Sequence, residues 1–155
     1  MKFRYLPSLF VLATVGAQLS CSRDATTGPS GLIGSQLVAN ANEPLQLTLN
    51  VRTPIPRERL PRVRVTAMTG SVRVQVDRED FACTLANGFV GRGPGVLTFV
   101  ARVGGDPRAN CSGGWVVEYA GVMKDVAPGR YTVHVYEGGF EGVPRWLTTA
   151  TVTVQ

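Results

Sequence analysis

The sequence predicts an all-β domain, an antiparallel β-sandwich of about seven to nine strands closed by one disulfide. Three observations predict it. Apolar residues recur at period two from Leu45 to the end of the chain, the spacing of strands that bury one face. The 155 residues include 18 Gly and 10 Pro, too many helix breakers for a bundle. Cys83 and Cys111 stand as a pair in a chain whose first residues read as an export signal. With 44% apolar and 17% charged residues, the chain is too apolar for disorder. Beyond the leader no apolar run approaches the roughly 18 residues of a membrane-spanning helix.

The leader begins with Lys2 and Arg4 and continues as an uncharged apolar stretch from Tyr5 to Ala17. That is the layout of a signal peptide, too short to remain as a membrane span. Two cleavage points compete. Gln18-Leu19-Ser20-Cys21 resembles the lipobox of bacterial lipoproteins, with Gln18 where that pattern has leucine. The resemblance implies that Cys21 carries lipid and becomes residue one of the mature chain. In the other reading Val15-Gly16-Ala17 serves as an ordinary signal-peptidase site and the product is soluble, periplasmic or secreted. Cysteine parity favours the lipoprotein: if Cys21 of the three cysteines takes lipid, Cys83 and Cys111 are left to pair. Their bond closes a loop of about 29 residues and contributes about 3 to 4 kcal/mol; the alternative is two free buried thiols.

The expected plan is a signal peptide over 1–20, a flexible tether over 21–44 and the sandwich over 45–155. The polar run from Ser22 to Gly31 would hold the domain about 15 to 20 Å from its anchor.

Leu45, Leu47, Leu49 and Val51 alternate with polar residues as the first strand, and Pro54 and Pro56 end it. Val63, Val65 and Ala67, then Val72, Val74 and Val76, form a hairpin about Met68-Thr69-Gly70-Ser71. Asp77-Arg78-Glu79-Asp80 reads as an acidic turn. Phe81 to Leu85 and Gly88 to Val90 read as short strands about Ala86-Asn87-Gly88, and Arg92-Gly93-Pro94-Gly95 as a loop. Val96 to Val103 alternates firmly, and a turn at Gly104–Asn110 leads to Cys111. Trp115, Val117 and Tyr119, then Tyr131, Val133 and Val135, mark two more strands. Trp146 to Val154 closes the domain, with Ala150, Val152 and Val154 inward. No segment reads as a helix.

The unit Ala127-Pro128-Gly129-Arg130-Tyr131-Thr132-Val133-His134-Val135, with Thr151-Val152-Thr153-Val154, resembles the last two strands of immunoglobulin-like or fibronectin-type-III-like domains of bacterial surface proteins. The resemblance implies an immunoglobulin-like sandwich and no particular activity. Trp115 follows Cys111 and does not lie between the cysteines, unlike the arrangement in antibody domains.

The inventory for catalysis is thin. His134 is the single histidine, on the outward face of its strand, with no second imidazole for a metal and no nucleophile elbow. Gly91-Arg92-Gly93-Pro94-Gly95 lacks the lysine and helix of a phosphate-cradling loop. Asp77, Glu79 and Asp80 are candidate calcium ligands, set against a solvated turn part-neutralised by Arg78. The net charge falls from +5 to +3 when Lys2 and Arg4 leave with the signal, and Lys124 is the one lysine remaining. Arg62, Arg64 and Arg73 sit at outward positions and are candidates for contact with anionic glycans or lipid phosphates, or edge-blocking charges on a soluble face. Tyr136, Phe140 and Trp146 bracket a Gly-rich loop whose aromatic faces are candidates for stacking on a sugar or a partner protein.

These features lead to a non-catalytic, lipid-tethered domain of the bacterial cell envelope. It would bind an envelope protein or glycan through sheet edges and loops, without a cofactor and without nucleic acid. A structural module of an envelope complex, or a secreted enzyme with an unrecognised site, are the alternatives.

Overall fold

A computed structural model describes residues 31–52, 60–80, 83–106, 109 and 115–155. The described residues form one helix, α1 (Gly31–Ala39), and nine strands. These are β1 (Glu43–Leu45), β2 (Leu47–Arg52), β3 (Arg62–Met68), β4 (Ser71–Asp80), β5 (Thr84–Gly93), β6 (Val96–Gly105), β7 (Trp115–Met123), β8 (Gly129–Gly138) and β9 (Arg145–Val154). They build two stacked sheets, one of five strands in the order β1-β5-β6-β8-β9 and one of four in the order β2-β7-β4-β3.

The alternation that predicted the strands also decides which residues meet between the sheets. From the four-stranded sheet Val72, Val74, Val76, Tyr119 and Met123 point inward, and from the other Leu97, Phe99, Ala101, Val103, Val133 and Val135. Val154 is buried at the close of β9, with Val152 packed against the same core. Burying side chains of this size is worth about 1.5 to 3 kcal/mol each.

Three expectations are corrected. The sheets are not wholly antiparallel: β6 and β8 run parallel, Val96 beside Thr132 through Arg102 beside Gly138. The chain leaves β6, crosses to β7 in the other sheet and returns, so β8 arrives in the same direction as β6. The expected single strand from Leu45 is split at Gln46. β1 pairs with β5 and β2 with β7, so one extended run contributes to an edge of each sheet. The expected turn at Ala86-Asn87-Gly88 is the middle of an unbroken β5, which pairs with β6 from Thr84–Gly105 to Gly93–Val96. Pairing along a whole neighbouring strand satisfies backbone groups that a local turn would leave to water.

The span expected to be a flexible tether, 21–44, contains α1 over 31–39 and the start of β1 at Glu43. Leu, Gln, Val and Ala are compatible with a helix, but the deciding contact is tertiary. Leu37 and Val38 are half-buried, and α1 packs on β6. Beyond the helix, Asn40 and Ala41 lie over Gly91 of β5.

Candidate binding surfaces

The inward alternation of β4 and β8 continues past its valines into charge. After Val72, Val74 and Val76 comes Arg78; after Val133 and Val135 comes Glu137. These positions face each other between the sheets. Arg78 Nη1 lies 2.8 Å from Glu137 Oε1, Tyr119 donates its phenol to Glu137 Oε2 at 2.6 Å, and Arg145 Nη2 stands 3.5 Å from the same carboxylate. Arg78 also reaches Asp80 at 3.0 Å. Glu137 is 3% exposed, so the cluster is a buried, charge-assisted tie between sheets. Burial, and then the adjacent Glu137 charge, push the Tyr119 phenol far above the ordinary tyrosine range. The signal for this cluster was present in the sequence as ionisable residues at two inward positions, but only cross-sheet proximity identifies them as partners.

The outer face of the four-stranded sheet gathers the arginines singled out above. Arg62 pairs across the ladder with Asp77, Arg64 with Gln75, and Arg73 with Thr66. Arg64 and Arg73 are therefore diagonal neighbours, and Arg62 lies two residues along the same strand, so the three form a triangle on β3 and β4. All three are exposed, and none makes an ion pair with another described residue. Beside them opens a cleft of about 570 Å³, lined by Arg73, Arg92, Lys124, Gln46 and Thr48 among others. Arg92 is committed to Glu43 at 2.8 Å and to the Lys124 carbonyl at 2.8 Å. That ion pair holds the Glu43 carboxyl below its usual range, chiefly through the Arg92 hydrogen bond.

The floor of this face is more buried than an outer face requires. Glu118 is 1% exposed and Asp77 is 4% exposed. Glu118 accepts from Gln75 Nε2 at 2.8 Å and from Asn50 Nδ2 at 3.3 Å. Asp77, its direct neighbour across the β4–β7 ladder, has no partner for Oδ1 among the described residues.

The expected acidic turn at 77–80 is therefore a correction, because all four residues lie in β4. Strand alternation puts Asp77 and Glu79 on the outer face and turns Asp80 inward to Arg78. The calcium candidates are thus not brought together, and among the described residues no three His, Cys, Asp or Glu converge on a metal-holding geometry.

The outer face of the five-stranded sheet carries the aromatic candidates. Successive registers place Pro44 beside Phe89, Phe89 beside Val100, Val100 beside Tyr136 and Tyr136 beside Trp146. Sequence reading placed Tyr136 at the mouth of a loop; instead it is 3% exposed within the row, and its hydroxyl has no partner among the described residues. Burial pushes this phenol upward as well. Phe140 alone of the three reaches solvent substantially. Its ring lies so close to Gly104 that a Cβ there would sit 3.0 Å from Cδ2 and Cε2. Arg102 Nη1 donates to the carbonyls of Gly139 and Gly142 and so pins the loop that carries Phe140. Between this loop and the residues following α1 lies a second cleft, of about 410 Å³.

His134 occupies the outward position read for it, Nδ1 lying 2.9 Å from Thr149 Oγ1, a hydroxyl that also accepts from Trp146 Nε1 at 3.1 Å. Cys21 and Cys111 lie outside the described residues, as do the signal and the cleavage sites. Among the described residues no helix is long and apolar enough to cross a membrane. The chain matches no protein-family model, no curated protein and no solved structure.

Proposed function

We propose that the chain is a non-catalytic, lipid-tethered domain of the bacterial cell envelope that binds an anionic partner, protein or glycan, through its outer faces and edges. The observation that carries this reading is the triangle of Arg62, Arg64 and Arg73, three exposed guanidinium groups on an edge strand and its neighbour without a counter-ion among the described residues. Each offers paired donors matched to carboxylate, sulfate or phosphate. The carboxylates of the same face, Asp77 and Glu118, are buried beneath them, so the groups presented to a partner at this triangle are the guanidiniums.

The test is binding of the mature domain to isolated envelope material at low and at physiological salt. Charge reversal at Arg62, Arg64 and Arg73 together should abolish the salt-sensitive part of that binding; unchanged binding would remove the proposal. Tethering at Cys21 is tested separately by palmitate incorporation, which Cys21→Ala should eliminate.

The Cys83–Cys111 disulfide belongs to the same proposal. Asp80 and Trp115 face each other in the β4–β7 ladder, and the two cysteines lie three residues after one and four before the other. The Asp106 amide donates to the Cys83 carbonyl at 3.1 Å. Non-reducing mass spectrometry should find that pair joined; two alkylatable thiols would end the assignment. The immunoglobulin-like character of the sandwich is supported by the Tyr131 hydroxyl, which donates to the Ala127 carbonyl four residues upstream at 3.0 Å, in the manner of a tyrosine corner.

A further inference from the structure

We infer that the 410 Å³ cleft on the outer face of the five-stranded sheet is a saccharide-binding subsite, separate from the arginine triangle on the opposite sheet. Its floor is Phe89 and Val100, its far wall is Phe140, and its polar rim is Asn42, Asn87 and Arg102. The Phe140 ring lies against Gly104, the residue is 44% exposed, and it lines the cleft, so it offers aromatic surface to a flat apolar partner. Such a partner need not be wholly apolar. The amides of Asn42 and Asn87 make no hydrogen bond with another described residue, and each supplies a donor pair and an acceptor. Arg102 adds further donors and, through its bonds to Gly139 and Gly142, holds the loop in place before any ligand arrives.

An apolar ring face edged by hydroxyls that both donate and accept is the chemistry of a neutral pyranose. The cleft volume lies in the range of small-ligand sites, about 300 to 1,000 Å³. A protein partner of ordinary stability covers about 800 Å² on each side, and around this cleft the face turns polar, with Thr98, His134 and Thr149 forming the next row. A pinned ring, two uncommitted amides and a preset loop favour a compact sugar, because little ordering remains to be done on binding.

The inference stands apart from the arginine face, and its test keeps the two distinct. The mature domain is titrated with maltotriose, cellotriose and triacetylchitotriose while amide NMR signals are followed. At least one sugar should saturably shift the side-chain amides of Asn42 and Asn87. Phe140→Leu, which keeps the contact on Gly104 and removes the aromatic face, and Asn87→Ala should each weaken that binding about tenfold while leaving the melting temperature unchanged. Charge reversal at Arg62, Arg64 and Arg73 should leave the shifts intact. The inference is overturned if none of the three sugars moves the cleft signals, if Phe140→Leu binds as well as the natural chain, or if those signals respond only to a protein from envelope extract.

Discussion

Tyr119 and Glu137 are joined across the gap between the two sheets by a phenol–carboxylate hydrogen bond of 2.6 Å. The bond ends a core that is otherwise hydrocarbon, and Arg78 completes it at 2.8 Å on the other carboxylate oxygen. An ion pair at this depth loses most of its Coulomb gain to desolvation. Its contribution is therefore best read as fixing how one sheet sits on the other, with the energy visible mainly when one member is removed.

Tyr119→Phe should destabilise the domain by about 1 to 3 kcal/mol, the cost of leaving a buried acceptor short of a donor. Urea unfolding with an unchanged slope measures it. The same residue makes stability fall at high pH. Its folded pKa is raised above the unfolded value of 10.0, so the stabilisation is complete below pH 10 and is lost as pH rises beyond it. Tyr119→Phe should lose the Tyr119 share of this alkaline loss while the raised Tyr136 phenol keeps its own; an identical alkaline profile in the two proteins would contradict the assignment.

At the acid end the pair to watch is Glu43 with Arg92. The folded pKa of Glu43 is depressed from 4.5, so its contribution is present above that value and disappears as pH falls through the folded value. Both side chains are partly solvated, and the effect is under about 1 kcal/mol. Arg92→Ala should return the Glu43 titration, followed by carboxyl NMR, to the ordinary range. An unmoved titration would show that Arg92 is not its cause.

Gly121 sits on β7 beneath the step from β1 to β2. A Cβ there would lie 2.6 Å from Leu45 Cδ2, 2.8 Å from Leu47 Cδ2 and 2.9 Å from Phe99 Cε2. Gly121→Ala should cost about 1 to 3 kcal/mol through overpacking, whereas alanine at the open and regular position of Thr66 should change stability by less than about 0.5 kcal/mol. Thermal unfolding of the two variants decides whether the junction is as tight as the geometry requires.

Asp77 and Glu118 are like charges directly opposite in the β4–β7 ladder, both buried. Such a pair opposes the fold. Asp77→Asn removes the repulsion and supplies a donor at the orphaned oxygen, and should raise stability by about 0.5 to 1 kcal/mol. A loss of stability would mean that the Arg62 charge, opposite Asp77 across the β3–β4 ladder, outweighs the repulsion from Glu118.

The residues show how far local pattern reaches. Val72, Val74 and Val76 alternate with polar neighbours, and they do bury as one face of β4. Arg62, Arg64 and Arg73 were legible as outward for the same reason. Tyr136 was misread because the pattern tells which face a side chain takes and not what lies over that face. Glu137 was missed because an inward carboxylate is recognisable only once Tyr119 and Arg78, 18 and 59 positions earlier in the chain, are known to face it. The helix over 31–39 lacked a clear periodic signal and is held by its contact with β6.

What this sequence determined alone is the extended state of most of the described residues and the side each one presents, since a period of two is enforced by the geometry of a single strand. Tertiary structure alone decided that β6 meets β8 in parallel, that one extended run serves both sheets, and that Phe140, Asn42 and Asn87 border one cleft. Strand order is settled by which faces exclude water together, and that is a property of the assembled layers rather than of any segment.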